Sequence, residues 1–293
     1  MLGECPIHDA ATGDTYWIDI ADPAVYWLSA AGVVRHAFER PLASLYLCGP
    51  QQLLVAARAG FFLLDARTGR RRALPLSAPI GGEERYNDGR SDAQGRLWIS
   101  TMDRRTQRPI GSIASIGAQG RAHAVAAHAV IGNGICFSPD GAWMYFSDSA
   151  GRAIHRYRAA ACAAELGPRE RLLALDGHPG RPDGCAVDAD GCLWSARIGG
   201  GRIDRYAPDG RLVDTLALPV ANPTHCAFGG SGLKTLFVTT SRMSAQASVT
   251  PGDPLDGAVL AFDLGIQGLP EPRLAEDVYA TALPPTEDVT HEH

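Results

Sequence analysis

Four short motifs set a carboxylate or an amide beside Gly or Pro just ahead of an apolar run: Gly3-Glu4-Cys5-Pro6, Arg85-Tyr86-Asn87-Asp88-Gly89, Gly132-Asn133-Gly134-Ile135 and Arg181-Pro182-Asp183-Gly184. Taken singly, each is ordinary turn chemistry. Their spacing adds information. Asn87 precedes Gly95, Asn133 precedes Gly141 and Asp183 precedes Gly191 by 8 residues each, and Glu4 precedes Gly13 by 9. A common offset implies a repeated unit, and equivalent positions of repeated units lie on one ring around the repeat axis. Glu4 and Asp183 then face Asn87 and Asn133 at a common depth. Two carboxylates held close in a partly dry channel repel unless a cation or a shared proton neutralises them. A divalent metal is the natural answer. An all-oxygen donor set favours Ca²⁺, Mg²⁺ or Mn²⁺, with Zn²⁺ and Fe²⁺ also compatible. Strand alternation turns Cys5 away, and it lets Cys185 share the inward face only if the strand is regular through Gly184.

The elements that must position these groups are strands. One recurring phrase is a Gly-containing turn followed by an apolar or aromatic run: Tyr16-Trp17-Ile18, Leu53-Leu54-Val55, Leu97-Trp98-Ile99, Met144-Tyr145-Phe146, Leu193-Trp194 and Leu236-Phe237-Val238. A second apolar phrase follows each copy, beginning at Val25, Phe61, Ile113, Ile154, Ile203 and Val259. Six two-phrase units match the period of roughly 40 to 50 residues of propeller blades, whose sheets bury their faces only against one another. The expected fold is an all-β, six-bladed β-propeller with a metal site in its central channel. An irregular sandwich would need no such register between the two series. One domain over residues 1–293 is expected, with a loose tail from about 280, and the alanine-rich patch from Ala159 to Leu166 is the one segment that reads as helical.

A net charge of −5, from 27 basic and 32 acidic residues without a basic block, argues against nucleic-acid and membrane partners. The seven Cys residues form no Cys-x-x-Cys pair, and no run approaches the roughly 20 apolar residues of a membrane span. The N-terminus lacks a leader pattern, so a cytoplasmic protein with reduced thiols is expected, a monomer or weak homo-oligomer acting on a small molecule. Neither a Gly-x-Ser-x-Gly elbow nor a zinc-helix His pair occurs. Of His128, His155, His178 and His225, His225 is the best placed to line the channel. The basic loop from Asp103 to Pro109 is a candidate cover for the mouth, or a solvated surface loop.

These motifs resemble the SMP-30, gluconolactonase and regucalcin-like family: LGECPIHD at 2–9, RYNDGRSDAQGRLWISTMD at 85–103, NGICFSPDG at 133–141, PDGCAVDADGCLW at 182–194 and CAFGG at 226–230. The resemblance implies a six-bladed propeller with one divalent cation that hydrolyses a sugar lactone to its aldonic acid. It implies Glu4, Asn133 and Asp183 as metal ligands, Asp183 also as general base, and Arg85 and Asn87 as substrate contacts. On this reading Arg85 and Asn87 alternate onto the channel side while Tyr86 and Asp88 turn away, Asp88 and Asp92 serving as turn or supporting residues. Ring closure would rely on the strand around Val259 to Phe262. The competing readings are phosphotriester hydrolysis at the same site and a non-catalytic cation-binding propeller.

Overall fold

The computed structural model describes residues 1–58, 60–159, 165–243 and 254–280. Six antiparallel sheets follow one another along the chain, each a meander of consecutive strands. The first holds β1 (Gly3–Asp9), β2 (Asp14–Asp19), β3 (Ala24–Ser29) and β4 (Gly32–Ala37). The second holds β5 (Leu42–Leu47), β6 (Gln52–Ala57), β7 (Gly60–Asp65) and β8 (Arg71–Leu74), and the third β9 (Glu84–Ser91), β10 (Leu97–Asp103), β11 (Gly111–Ile116) and β12 (Ala122–Ala129). The fourth holds β13 (Gly132–Phe137), β14 (Trp143–Asp148), β15 (Ala153–Ala159) and β16 (Leu166–Ala174). The fifth has β17 (Arg181–Val187), β18 (Leu193–Ile198), β19 (Arg202–Tyr206) and β20 (Leu212–Ala217); the sixth has β21 (Pro223–Gly229), β22 (Thr235–Thr240) and β23 (Val259–Asp263). This is the six-bladed propeller that the repeats predict. Residues 160–164 of the alanine-rich patch and the tail from 281 lie outside the described residues, while Ala159 ends one strand and Leu166 begins the next.

The two recurring phrases are the second and third strands of each blade. They form because aromatic and β-branched residues suit a pleated surface covered on both faces. Burial is continuous along β10, whereas β4 and β20 at the rim are almost wholly exposed. Apolar side chains of neighbouring blades interlock in five clusters, for instance Trp98, Ile113, Met144 and Phe146 between the third and fourth blades, and Trp194, Ile203, Phe228 and Val238 between the fifth and sixth.

The seam between the last and first blades is built differently. There the Thr224 hydroxyl donates to Gly3 O at 2.6 Å, His8 stacks on Phe237 at 6.1 Å, and Leu2 pairs with Ser241. Among the described residues no strand is exchanged across it: β23 pairs with β22 alone, so the strand at Val259–Asp263 does not close the ring. A C-terminal strap does the fastening. Gly268 N donates to Leu233 O, Ala189 N to Gln267 O, Leu274 N to Leu47 O and Ala275 N to Gly95 O. Two ion pairs reinforce it, Arg273 with Asp9 at 2.6 Å and Glu271 with Arg90 at 2.5 Å. Its end is the short helix α1 (Glu276–Tyr279), which buries Val278 and Tyr279 beside Leu274. The strap thereby ties together five of the six blades across one end of the channel.

Candidate active site

The inner strands β1, β5, β9, β13, β17 and β21 begin at the end of the channel opposite the strap, and every one of them breaks register there. The breaks fall between Glu4 and Ile7, Asn133 and Cys136, and Pro182 and Cys185, and Asn87 and Asp88 together oppose Ser100. A bulge leaves extra residues outside the ladder and re-aims their side chains. Each of the four polar motifs is such a bulge. Gly134 takes φ +59°, and Cys5, without a glycine's freedom, takes φ 46°.

Strict alternation therefore fails at the Arg85-to-Gly89 motif. Tyr86 does turn away, its hydroxyl donating to Ala78 O at 2.6 Å. Asp88 does not. Its Oδ2 accepts from Ile135 N of the next blade at 3.1 Å, and its Oδ1 lies 3.5 Å from His225 Nε2. The Ser100 hydroxyl accepts from Asp88 N and donates to Gly132 O, stitching the bulge to the neighbouring strand. Asp92, in contrast, is the supporting residue expected, accepting from Gln94 N, Arg96 N and Trp98 Nε1.

At the level nearest the mouth, Asn87 Nδ2 donates to Gly132 O at 2.9 Å and to Asn133 Oδ1 at 2.5 Å. Asn133 Nδ2 donates to Asp183 Oδ1 at 2.5 Å and to Ser149 Oγ at 2.9 Å. Three of the four ring residues are thus joined edge to edge across three blades. Glu4, partly exposed to the channel, interacts through charge with Asp183, Asp88 and Arg85. Arg85 fixes its own Nη1 on Tyr86 O at 3.0 Å.

Beneath this level Asp88 and His225 meet, and the glycine of the Pro182-Asp183-Gly184 motif explains how. A Cβ at position 184 would lie 2.1 Å from the His225 ring, so only glycine lets the imidazole pack under Asp183. His225 is 1% exposed, with Nδ1 2.9 Å from Cys226 N and 3.0 Å from Cys226 O. The expectation that His225 lines the channel fits this placement, one level below the ring rather than in it. Further along the channel Arg90 meets Glu271 of the strap, and a cleft of about 410 Å³ opens at that end beside Cys136, Phe228 and Glu271. This cleft is remote from the polar ring.

Burial pushes the carboxyls of both Glu4 and Asp183 well above the usual carboxylate range; Asp183 and Asp88 add repulsion at Glu4, and Asp88 does so at Asp183. Asp88 itself is held below that range against its burial, by His225 and Arg90. Two carboxyls of raised pKa that repel each other, one half-buried and one buried, are a site that attracts a cation or a proton. The residues present fit a divalent cation: two carboxylates and the Asn133 amide oxygen, whose second lone pair stays open beside the bond from Asn87. Among the described residues no three His, Cys, Asp or Glu side chains converge, so a third donor beside Glu4 and Asp183 would have to be an amide. Thiolate ligation finds no support. Burial raises the Cys185 thiol well above its ordinary value, and its Sγ lies 2.8 Å from Gly134 O and 2.9 Å from Cys136 Sγ.

The basic loop after Met102 is knotted on Asp103, which accepts from the backbone N–H groups of Arg105, Gln107 and Arg108 and is held down to about 2, the Arg108 N–H bond being the largest cause. Arg108 pairs with Glu83. Residues 104–110 are exposed.

The model of the SMP-30/Gluconolactonase/LRE-like region matches residues 2–242. The chain is 37% identical over 281 residues to a 6-deoxy-6-sulfogluconolactonase of Pseudomonas putida (94% of this chain, 95% of that protein), and 34% identical to an L-arabinolactonase of Azospirillum brasilense (94% and 92%). It is similar to the crystal structure of a calcium-binding protein, regucalcin, from Agrobacterium tumefaciens, with a TM-score of 0.85, 32% identity and 94% of each chain covered. By its full set of blades, its polar ring and this match, the chain belongs to the SMP-30/gluconolactonase/LRE-like family.

Proposed function

We propose that the protein hydrolyses a sugar (aldono-) lactone to the aldonic acid at the channel mouth, using one divalent cation held by Glu4, Asn133 and Asp183. The observation that carries the reading is the pair of carboxyls with raised pKa, the half-buried Glu4 and the buried Asp183, the latter held by the Asn133 amide, in a chain whose relatives carry lactonase names. A divalent cation bound there supplies Lewis acidity for an ester carbonyl. The remaining steps belong to side chains of this chain. Asp183 Oδ1 is held by Asn133 Nδ2, so Oδ2 takes the proton from the water that attacks the carbonyl carbon. The same proton passes to the ring oxygen as the C–O bond breaks, so one water is consumed and one acid is formed. Arg85 keeps guanidinium N–H groups for sugar hydroxyls after fixing Nη1 on the backbone, and Asn87 stands beside Asn133 to orient the ring. No covalent nucleophile is needed.

The test is a screen of aldonolactones followed by acid release, with chelated protein re-supplied in turn with Ca²⁺, Mg²⁺, Mn²⁺, Zn²⁺ and Fe²⁺. Turnover that appears only on re-supply is the expected result. Turnover by the chelated protein equal to that of the re-supplied protein would remove the cation from the mechanism, and no turnover of any lactone would remove the reaction.

A further inference from the structure

Lactone hydrolysis leaves open what else the sugar carries, and the charges around the channel mouth bear on that choice provided the lactonase reading holds. Arg85 and Arg181 occupy corresponding places in the third and fifth blades, each two residues ahead of the ring residue of its strand, Asn87 or Asp183. Both stand just ahead of the bulge that carries the ring residue, and their charges reach the ring: Arg85 acts on Glu4 and Arg181 on Asp183. Arg58 lies in the turn between β6 and β7, at the same end of the molecule. Its carbonyl accepts from Tyr86 N at 3.3 Å, which brings the turn against the Arg85-Tyr86 step, and Arg58 itself is exposed. Burial holds the Arg85 guanidinium below its usual value; Glu4 opposes this and the charge of Arg58 adds to it, so the two arginines sense each other.

Several other arginines at this end have partners, although Arg104 and Arg105 of the exposed loop after β10 form no ion pair among the described residues. Arg108 is paired with Glu83, Arg35 with Asp22, Arg152 donates to the carbonyls of His178 and Gly180, and Arg242 to that of Asp256. Arg58, Arg85 and Arg181 form no ion pair among the described residues. The carboxylates closest to them, Glu4 and Asp183, are those proposed to neutralise a cation. Three positive charges around one opening then lack a counter-charge, and like charges gathered without one destabilise the free site and favour an anionic ligand.

We propose that the natural substrate is a sugar lactone bearing an anionic group, a carboxylate, sulfonate or phosphate, away from its lactone carbonyl, and that Arg58 and Arg181 select it alongside Arg85. A neutral sugar leaves these guanidinium groups facing water. An anionic terminus takes two or three charge-assisted hydrogen bonds from them.

The experiment compares kcat/KM for four lactones of one ring type whose terminal carbon carries a hydroxyl, a carboxylate, a sulfonate or a phosphate. The expected result is a preference of about a hundredfold or more for an anionic member, from about tenfold per charge-assisted contact; which anion wins identifies the group. In R58Q/R181Q the ratio of anionic to neutral kcat/KM falls by about a hundredfold on the same scale, and R58K/R181K keeps most of it. Added salt lowers the preference of the parent protein. Equal rates on all four lactones, or a ratio unmoved in R58Q/R181Q, overturns the proposal. Should no lactone be turned over, the reaction has failed and the charge selection is read by calorimetry instead, with an alditol carrying a terminal sulfonate or phosphate against the plain alditol. Tighter binding of the charged alditol that is lost in R58Q/R181Q supports the proposal; equal binding overturns it.

Discussion

Gly184→Ala is the substitution that most sharply separates a glycine needed for space from one needed for a turn. Gly184 does not lie in the left-handed region, so the backbone accepts alanine. The obstacle is His225: a Cβ would stand 2.1 Å from both its Cγ and Cδ2 and 2.6 Å from its Cβ. The ring has no exit, since His225 is buried, and its Cβ cannot retreat without moving β21. Overpacking of a core costs about 1–3 kcal/mol, and three such contacts on a trapped ring place this variant near 3. For a chain of this length that is a fall of about 5 °C in Tm. Because the displaced residue adjoins Asp183, turnover is expected to fall by about a hundredfold, as for ångström-scale misplacement elsewhere. Urea titration of the parent, Gly184→Ala, His225→Ala and the double variant measures the coupling. The double variant should recover about 2 kcal/mol of the loss, because removing the ring frees the space while the 225 Cβ still crowds it. A Gly184→Ala protein with an unchanged urea midpoint and full turnover would refute the reasoning and return the motif to turn chemistry.

Asp183→Asn should lower kcat by about 10²- to 10⁴-fold, as loss of a general base does, whereas Arg85→Ala should chiefly raise KM; steady-state kinetics on the preferred lactone distinguishes the two. Glu271→Ala leaves the Arg90 guanidinium without its counter-ion in the channel and releases the strap, for an expected loss of about 3 kcal/mol read by urea unfolding. Both Glu4 and Asp183 have native values above their unfolded ones, so without a cation their contribution is greatest below the ordinary carboxylate range and is lost as pH rises through the raised values. A cation takes over the role of the proton, so the rise in Tm that it produces should grow as pH rises above the ordinary carboxylate range. A rise independent of pH would argue that the cation binds elsewhere.

The blade count was legible because the second and third strands carry dense apolar phrases, such as Leu97-Trp98-Ile99 and Ile113-Ala114-Ser115-Ile116. The fourth strands were not, since Gly32–Ala37 and Leu212–Ala217 face solvent and leave no period to read. Asn87, Asn133 and Asp183 share an offset of 8 residues, with Glu4 one residue off it, and the three that share it are joined by hydrogen bonds. Asp88 was misjudged because alternation assumes a regular ladder, and a bulge at that residue turns it beneath the ring. The available signal was the repeated coincidence of polar motif and register break. The strap lay beyond reach for another reason: the contacts of Arg90 with Glu271 and of Asp9 with Arg273 join residues 181 and 264 positions apart, and no local pattern encodes them.

Central to the proposed site is a single ion held between Glu4 and Asp183, and equilibrium titration of chelated protein with divalent cation, followed by calorimetry, tests this most directly. One site per chain in the parent, lost in both Glu4→Gln and Asp183→Asn while each remains folded, is the predicted result. Undiminished binding of one cation in either variant would contradict it.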